Sequence, residues 1–453
     1  MRSLSRWLLA AAVFLLVLAP AAGAANPPEG TWAWAAPYTS AETNQGFQLL
    51  ARGPAGSVYV VGDTTNWYWV VSRVDTATGA EVWSQRTQLP TMDLKPAAIA
   101  SDRQRNLVVA GRCTAATQDF YTVKYDPSGT VLWKRPWSGP ANLDDYVMSV
   151  AIGKAGDVYV AGRIGKPAGY DDAVLLKYDA GGHLKWKYVI STAGFDVFKE
   201  VVCDAYGNAY LIGQRGGDMD AGQMVTLKVD RDGHRLWLRS IAGLGVLYDG
   251  DHIRLKGANV YVTGELYKGD MWPIAAKYST AGKRAWAVAA SHSLSSIDDM
   301  AVDPLGRIVM VGSSYGSLYG GGPLVYSAYL WVWSADGKGV DASTSFSFDN
   351  GSGQWYPGRL NRVVVDSTGT MYCAGGWDTN GAGTEANAVL ARVPPPETPG
   401  WNGVDKVWRY DGPASGVDEF HGLLRVSDSE IFAAGMRHTV SGYRGIAERP
   451  TLP

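Results

Sequence analysis

The chain has little cysteine: three residues among 453, at Cys113, Cys203 and Cys373. A disulfide requires Cα atoms within about 7 Å. These three fall at different positions of repeat units that lie far apart, so the expectation is three unbridged thiols and a fold that relies on its core. No C-x-x-C or Cys/His spacing points to zinc. Charge is also scarce, at 19 % of residues, with 41 Lys+Arg against 43 Asp+Glu and a net charge of −2. Without a basic excess or basic run, nucleic acid is not an expected partner. No apolar run beyond the N-terminus is long enough to cross a bilayer, and no G-x-S-x-G, H-E-x-x-H or P-loop occurs.

Glycine and large flat side chains are abundant instead: 55 Gly, 18 Trp and 24 Tyr, a composition that suits an all-β protein with many tight turns. Arg2 and Arg6, an apolar stretch over residues 7–18 and the small residues Ala22, Gly23 and Ala24 read as an export signal. The expectation is a signal peptide at 1–24, removed to leave one domain at 25–453. The mature chain is then secreted or periplasmic, and a monomer.

One pattern recurs along that domain. A short apolar run ends in Gly at Gly62, Gly111, Gly162, Gly213, Gly264, Gly312, Gly375 and Gly435. A period of this size marks a repeat architecture. The third unit is the clearest: alternating runs at 149–152, 157–162, 172–178 and 183–190 are separated by Gly/Asp turns, which is the signature of four antiparallel strands. Four-stranded units of this length are the blades of a β-propeller. The expected fold is therefore all-β, an eight-bladed propeller of four-stranded antiparallel blades. The last unit runs out of chain after three strands, and Trp34 stands before Gly62 as Trp83, Trp133, Trp186, Trp237 and Trp286 stand before later glycines. Residues 31–38 should therefore pair with the chain near 442–449 and close the last blade.

The turn aspartates Asp102, Asp204, Asp303 and Asp366 read as hairpin formers. The cations ending the third strands (Arg73, Lys124, Lys177, Lys228, Lys277, Arg392 and Arg449) read as structural, paired with neighbours or laid over apolar surface. The segment 201–213, with its D-x-x-G-N-x-Y-x-x-G pattern, resembles the secreted bacterial β-propeller repeat. Residues 75–83, echoed at 126–133, 179–186 and 230–237, are similar to the tryptophan-docking repeat of pyrroloquinoline-quinone-like propellers. In the quinone enzymes that likeness implies calcium, a catalytic Asp and commonly adjacent cysteines. No Cys-Cys pair exists here, no acid or amide ligand matches, and no catalytic residue is carried over.

Function is expected on the face where the loops entering each first strand gather. Asp93, Asp144, Asp145, Asp196, Asp249, Asp298, Asp299 and Asp418 stand just before or at those strands. Converging carboxylates suit a basic ligand or Ca²⁺, although their drifting spacing also fits turn-forming or solvated carboxylates. The two longest units add aromatic rings at Tyr315, Tyr319, Trp355, Tyr356 and Trp377. Such rings suit sugar faces or peptide side chains. The reading is an exported, non-enzymatic binding or scaffold protein, with a protein, peptide or glycan ligand over the sixth and seventh units. The alternatives are a hydrolase or lyase acting on extracellular polysaccharide, a quinoprotein dehydrogenase, or an inert spacer. An enzyme would bring Asp249, Asp251, His252, Asp418 and His421 together.

Overall fold

The computed structural model describes residues 32–37, 46–64, 68–89, 93–167, 169–217, 222–241, 247–267, 270–290, 296–317, 324–349, 355–378, 386–399, 401, 403–410, 417–439, 442–450 and 452. The expected signal segment 1–24 and Tyr319 lie outside them. Among the described residues, thirty-two strands are arranged in seven sheets. Five are four-stranded meanders, at 46–87, 93–137, 145–190, 197–241 and 247–289. The sixth sheet has eight strands over 296–410, and the seventh joins the strands of 419–450 to Trp32–Pro37.

The expectation of eight separate four-stranded blades is thus corrected to seven sheets. The cause lies in the two longest units. Strand Val340–Asp349 has 10 residues and Trp355–Val365 has 11. Their extended ends pair, with Ser347 opposite Pro357, Phe348 opposite Tyr356 and Asp349 opposite Trp355, so two units become one continuous sheet. In the seventh sheet Trp32–Pro37 is an edge strand, antiparallel to Gly442–Pro450 with Trp34 opposite Arg449.

The first strand of each sheet touches the first strand of the next, and Glu419–Ser427 of the seventh touches Gly46–Arg52 of the first. First strands therefore line the centre of the ring, and last strands form its rim. The sixth sheet contributes two such inner strands, Ser296–Val302 and Trp355–Val365. Apolar clusters lie between neighbouring sheets. Val108, Ala110 and Phe120 of the second pack on Val158, Val160 and Val174 of the third. Val58, Val60 and Val74 of the first pack on Phe432 and Ala434 of the seventh.

The repeating Gly has a physical cause. Each inner strand carries a β-bulge, and the residue before the bulge faces that Gly, as Val147 faces Gly162 and Phe198 faces Gly213. The bulge drives a carbonyl of the inner strand against the glycine. A Cβ at Gly111, Gly162, Gly213, Gly264, Gly312, Gly375 or Gly435 would lie 1.8–2.1 Å from that oxygen. No other residue fits.

A second device joins one sheet to the next. Trp83, Trp133, Trp186, Trp237 and Trp286, on the last strands, donate Nε1–H to the carbonyls of Pro127, Ala180, Arg231, Thr280 and Ala335 at 3.0–3.1 Å. Each ring rests on a glycine of the same turn, at Gly129, Gly182, Gly233, Gly282 or Gly337. All five have positive φ, and a Cβ there would come within 2.4–3.0 Å of the indole. The third-strand cations join in. Arg73, Lys177 and Lys228 donate to the carbonyls that Trp83, Trp186 and Trp237 use, at 2.8, 2.7 and 3.1 Å. Arg449 of the seventh sheet donates to Thr76 O of the first at 2.9 Å. These four cations are fastened to the next sheet, while Lys124 and Arg392 pair with Asp102 and Asp405 of their own sheets.

Candidate functional site

A bulge inserts one extra residue and re-aims its side chain. Around the centre of the ring the extra residues are Gln48, Ala97, Met148, Lys199, Asp251, Asp298, Asn361 and His421, in order. Each is half-buried or exposed. Five consecutive positions, from the fourth sheet to the seventh, are thus Lys, Asp, Asp, Asn and His, whereas Ala97 and Met148 are uncharged and open to solvent. The ring has an ionisable arc and a neutral arc.

The arc is wired from sheet to sheet. Lys199 bridges Asp249 and Asp251 of the fifth sheet, reaching Asp251 Oδ1 at 2.7 Å. Glu200 accepts from Arg254 Nη1 at 2.6 Å and from the backbone N–H of Ile253 at 2.7 Å, with His252 Nδ1 3.7 Å away. Arg254 continues to Asp299 Oδ1 at 2.8 Å, and Asp299 Oδ2 accepts from Val363 N at 3.1 Å. Asn361 donates to Glu419 Oε1 at 2.7 Å, and Glu419 Oε2 lies 3.8 Å from His421 Nε2. The residue after the bulge has a structural task as well. Ser149, Glu200 and Asp299 each accept a backbone N–H from the next inner strand, at Val201, Ile253 and Val363. The bulges free those donors, and buried donors need partners.

The charges around Lys199 do not balance. Asp249 stands opposite Glu265 in the strand register, and Asp251 is close by. Three carboxyls therefore share one ammonium. Burial, then repulsion from Asp251, raises the pKa of Glu265 to about 8, although its Oε1 accepts from Ile297 N at 2.9 Å. Burial and Asp251 likewise raise Asp249. Burial opposes the charge on Lys199, but Asp251 and Asp249 outweigh it and raise its pKa. Burial also works against Glu200, yet Arg254 and His252 pull it down to about 2. The two histidines diverge: Glu200 outweighs burial and raises His252, whereas burial, with Arg362 and Arg359 close by, lowers His421. Asp249 Oδ1 and Asp251 Oδ2 are buried without a hydrogen-bond partner. Among the described residues no three His, Cys, Asp or Glu side chains form a metal-holding group.

The acidic residues singled out in the sequence divide into two sets. Asp145, Asp196 and Asp418 are at most 1 % exposed. Asp145 accepts from Gly139 N at 2.5 Å and Gly165 N at 3.1 Å, and burial raises its pKa to about 6. Asp196 accepts from Thr192 N at 2.7 Å and Gly216 N at 2.8 Å. These two carboxylates clamp loops. The backbone N–H of Asp418 donates to Ala386 O at 2.6 Å. Asp93 is exposed at the start of its strand. Of the sequence candidates in this ring, Asp249, Asp298 and Asp299 belong to the ionisable arc.

The aromatic candidates also separate. Trp377 is buried in a core cluster with Val389 and Val407, under the Arg409 guanidinium at 4.5 Å, and presents no ligand surface. Tyr315, opposite Tyr326, lies on strand Ile308–Ser317, and Trp355 and Tyr356 open the inner strand that carries Asn361. Asp249 and Asp251 meet on Lys199, but His252 and His421 belong to different carboxylates, Glu200 and Glu419. The single converging set expected of an enzyme does not assemble from these five residues. Asp251, Asp298 and His421 were candidates in the sequence, but Lys199, Asn361 and the bulge positions that all five share went unnoticed, although the signal was present. They lie fourteen residues before the repeating Gly, or thirteen at Asp251.

The chain can now be set beside known proteins. No protein-family model matches it, nor does any curated protein sequence. Among solved structures it is similar to the Dos1 propeller, with a TM-score of 0.54 and 8 % identity over 93 % of this chain and 94 % of that one. The WD40 domain of SCAP from fission yeast matches with a TM-score of 0.50 and 8 % identity, over 92 % and 98 %. The periplasmic gluconolactonase PpgL of Pseudomonas aeruginosa gives 0.44 and 14 %, over 66 % and 84 %, too loose a likeness to argue from. The fold is a β-propeller. That architecture hosts unrelated functions, so function has to be argued from the site.

Proposed function

We propose that this chain is an exported, non-enzymatic binding scaffold whose peptide, protein or glycan ligand seats at the channel mouth against the ionisable arc. One observation carries the reading: five consecutive inner strands place Lys199, Asp251, Asp298, Asn361 and His421 at equivalent bulge positions. Nothing in the packing requires charge there, because Ala97 and Met148 occupy the same backbone site. The unpartnered oxygens of Asp249 and Asp251 favour a ligand that donates hydrogen bonds. Trp355 and Tyr356, at the start of one strand of the arc, are the aromatic candidates. Export rests on the residue pattern of 1–24. Glycan and peptide arrays test the reading. Lys199→Ala, Asp251→Asn and His421→Ala should each weaken retention about tenfold, with Ala97→Ser and Met148→Leu unchanged. Equal retention by all five variants removes it.

A second reading has its own observation. Glu265, kept protonated near neutral pH beside Asp249, has the character of a general acid in a hydrolase or lyase acting on polysaccharide. Reducing ends or unsaturated uronate released by the wild type, and lost in Glu265→Gln, would favour it over binding alone.

A further inference from the structure

The rim differs from the centre in charge. The outermost strands of the second to fifth sheets are Val131–Trp137, Leu184–Ile190, Arg235–Ile241 and Arg284–Ala289. Together they hold seven Lys and Arg and no Asp or Glu, in a chain whose acids outnumber those bases 43 to 41. Lys134, Lys185, Lys187, Arg235 and Arg284 are exposed, and so is Arg239, although its Nε donates to Gly282 O of the next sheet at 2.7 Å. The acids nearest in the chain to the first three of these strands lie in the turns that precede them. Asp126, Asp179 and Asp230 accept backbone N–H groups of their own turns, and Asp232 lies 3.7 Å from Arg231. Leu132, Leu184 and Leu236, 44–52 % exposed, lie on the same strands.

We propose that this rim is a binding surface for a linear acidic polysaccharide, laid across the outer strands of consecutive sheets. It is separate from the central arc. The strands' own charge, all of one sign, supplies the complementarity. The cations follow a curve through four sheets, which a flexible chain can track and a flat lipid surface meets at only one or two strands. Base stacking, the usual companion of charge in binding single-stranded nucleic acid, finds no exposed ring on these strands among the described residues; Trp137 and Tyr188 pack against core clusters. The rim indoles of Trp133, Trp186, Trp237 and Trp286 are docked on the next sheet. The exposed leucines fit the apolar faces of sugar rings.

Cations on a free strand edge also deter edge-to-edge pairing, and the test separates that role. Charge reversal keeps the edge charged and inverts recognition. The mature chain is passed over immobilised polygalacturonate and neutral dextran. It should be retained by the acidic polymer alone, with retention falling about tenfold or more between about 50 and 200 mM salt. The combined variant Lys134→Glu, Lys187→Glu, Arg235→Glu and Arg284→Glu, checked for an unchanged melting temperature and monomeric elution, should lose retention. Met148→Leu, on the neutral arc, should keep it. Salt-independent retention, equal retention by the reversed variant, or stronger retention on oligodeoxythymidine or anionic vesicles would overturn the proposal. If the reversed variant unfolds, Lys134→Glu/Lys187→Glu carries the same prediction at about a third of the effect or more.

Discussion

The inner strands of the second and third sheets and those of the fourth and fifth share one backbone, with the same bulge and a glycine pressed against the same carbonyl. They differ in what the bulge displays: Ala97 and Met148 on one side, Lys199 and Asp251 on the other. Ring geometry is thus set by residues that cannot change, and surface chemistry by one that can. The ionisable side incurs a desolvation cost that the neutral side escapes. Glu200, Arg254 and Asp299 are linked across three sheets, whereas Ser149 alone serves as the acceptor at the equivalent place in the third sheet.

The largest effect should be common to both sides. Trp133→Ala in the second sheet and Trp237→Ala in the fourth each remove an indole that is 7 % exposed and docked on the next sheet. Each should cost about 3–5 kcal/mol in chemical denaturation. Markedly unequal losses would break the claim of one shared scaffold. Next in size is Arg254→Ala, which leaves Glu200 and Asp299 without their shared cation. Removing one partner of a buried pair costs about 3–5 kcal/mol, and the 30 % exposure of this side chain places the loss at or below the lower end. Met148→Ala on the neutral arc should stay within about 0.5 kcal/mol, because the side chain is 39 % exposed. A loss there as large as that of Arg254 would erase the distinction between the arcs.

A subtler contrast appears with pH. Glu265 has its folded pKa raised from the model-peptide 4.5 to about 8. Its contribution favours folding below about pH 4.5 and fades as pH rises through 8. Glu265→Gln should therefore raise the melting temperature relative to wild type at pH 8 and leave the difference near zero at pH 4. Glu200 runs the other way. Its depressed pKa contributes stability above pH 4.5 that is lost as pH falls toward 2. Glu200→Gln should flatten the acid limb of the stability profile.

Much of the scaffold was legible in the sequence because sterics leave a periodic mark. The repeating Gly, the Trp before it and the turn Asp each answer to one contact, now visible at Gly213, Trp237 and Asp204. The sheet count was not legible. Pairing of Phe348 with Tyr356 depends on how far two strands extend, and the repeat signal carries no term for strand length. The site was half legible. Asp249 was found by charge, but its neighbours Lys199 and Glu265 lie in strands with ordinary patterns and are joined to it only across strands and sheets. Asp145 and Asp196 shared its apparent place before a first strand, yet they bind loop N–H groups. An aspartate near a turn looks the same in sequence whether its oxygens face a loop or a channel.

The central claim is that one arc of the channel crowds together more carboxyl groups than its cations can keep ionised. The most direct measurement is the carboxyl carbon shift of Glu265 followed by NMR across a pH titration, with Glu265→Gln to assign the signal. The account predicts a midpoint near 8, moving down when Asp251 is changed to Asn. A midpoint at the ordinary glutamate value of about 4.3, unmoved by Asp251→Asn, would contradict it.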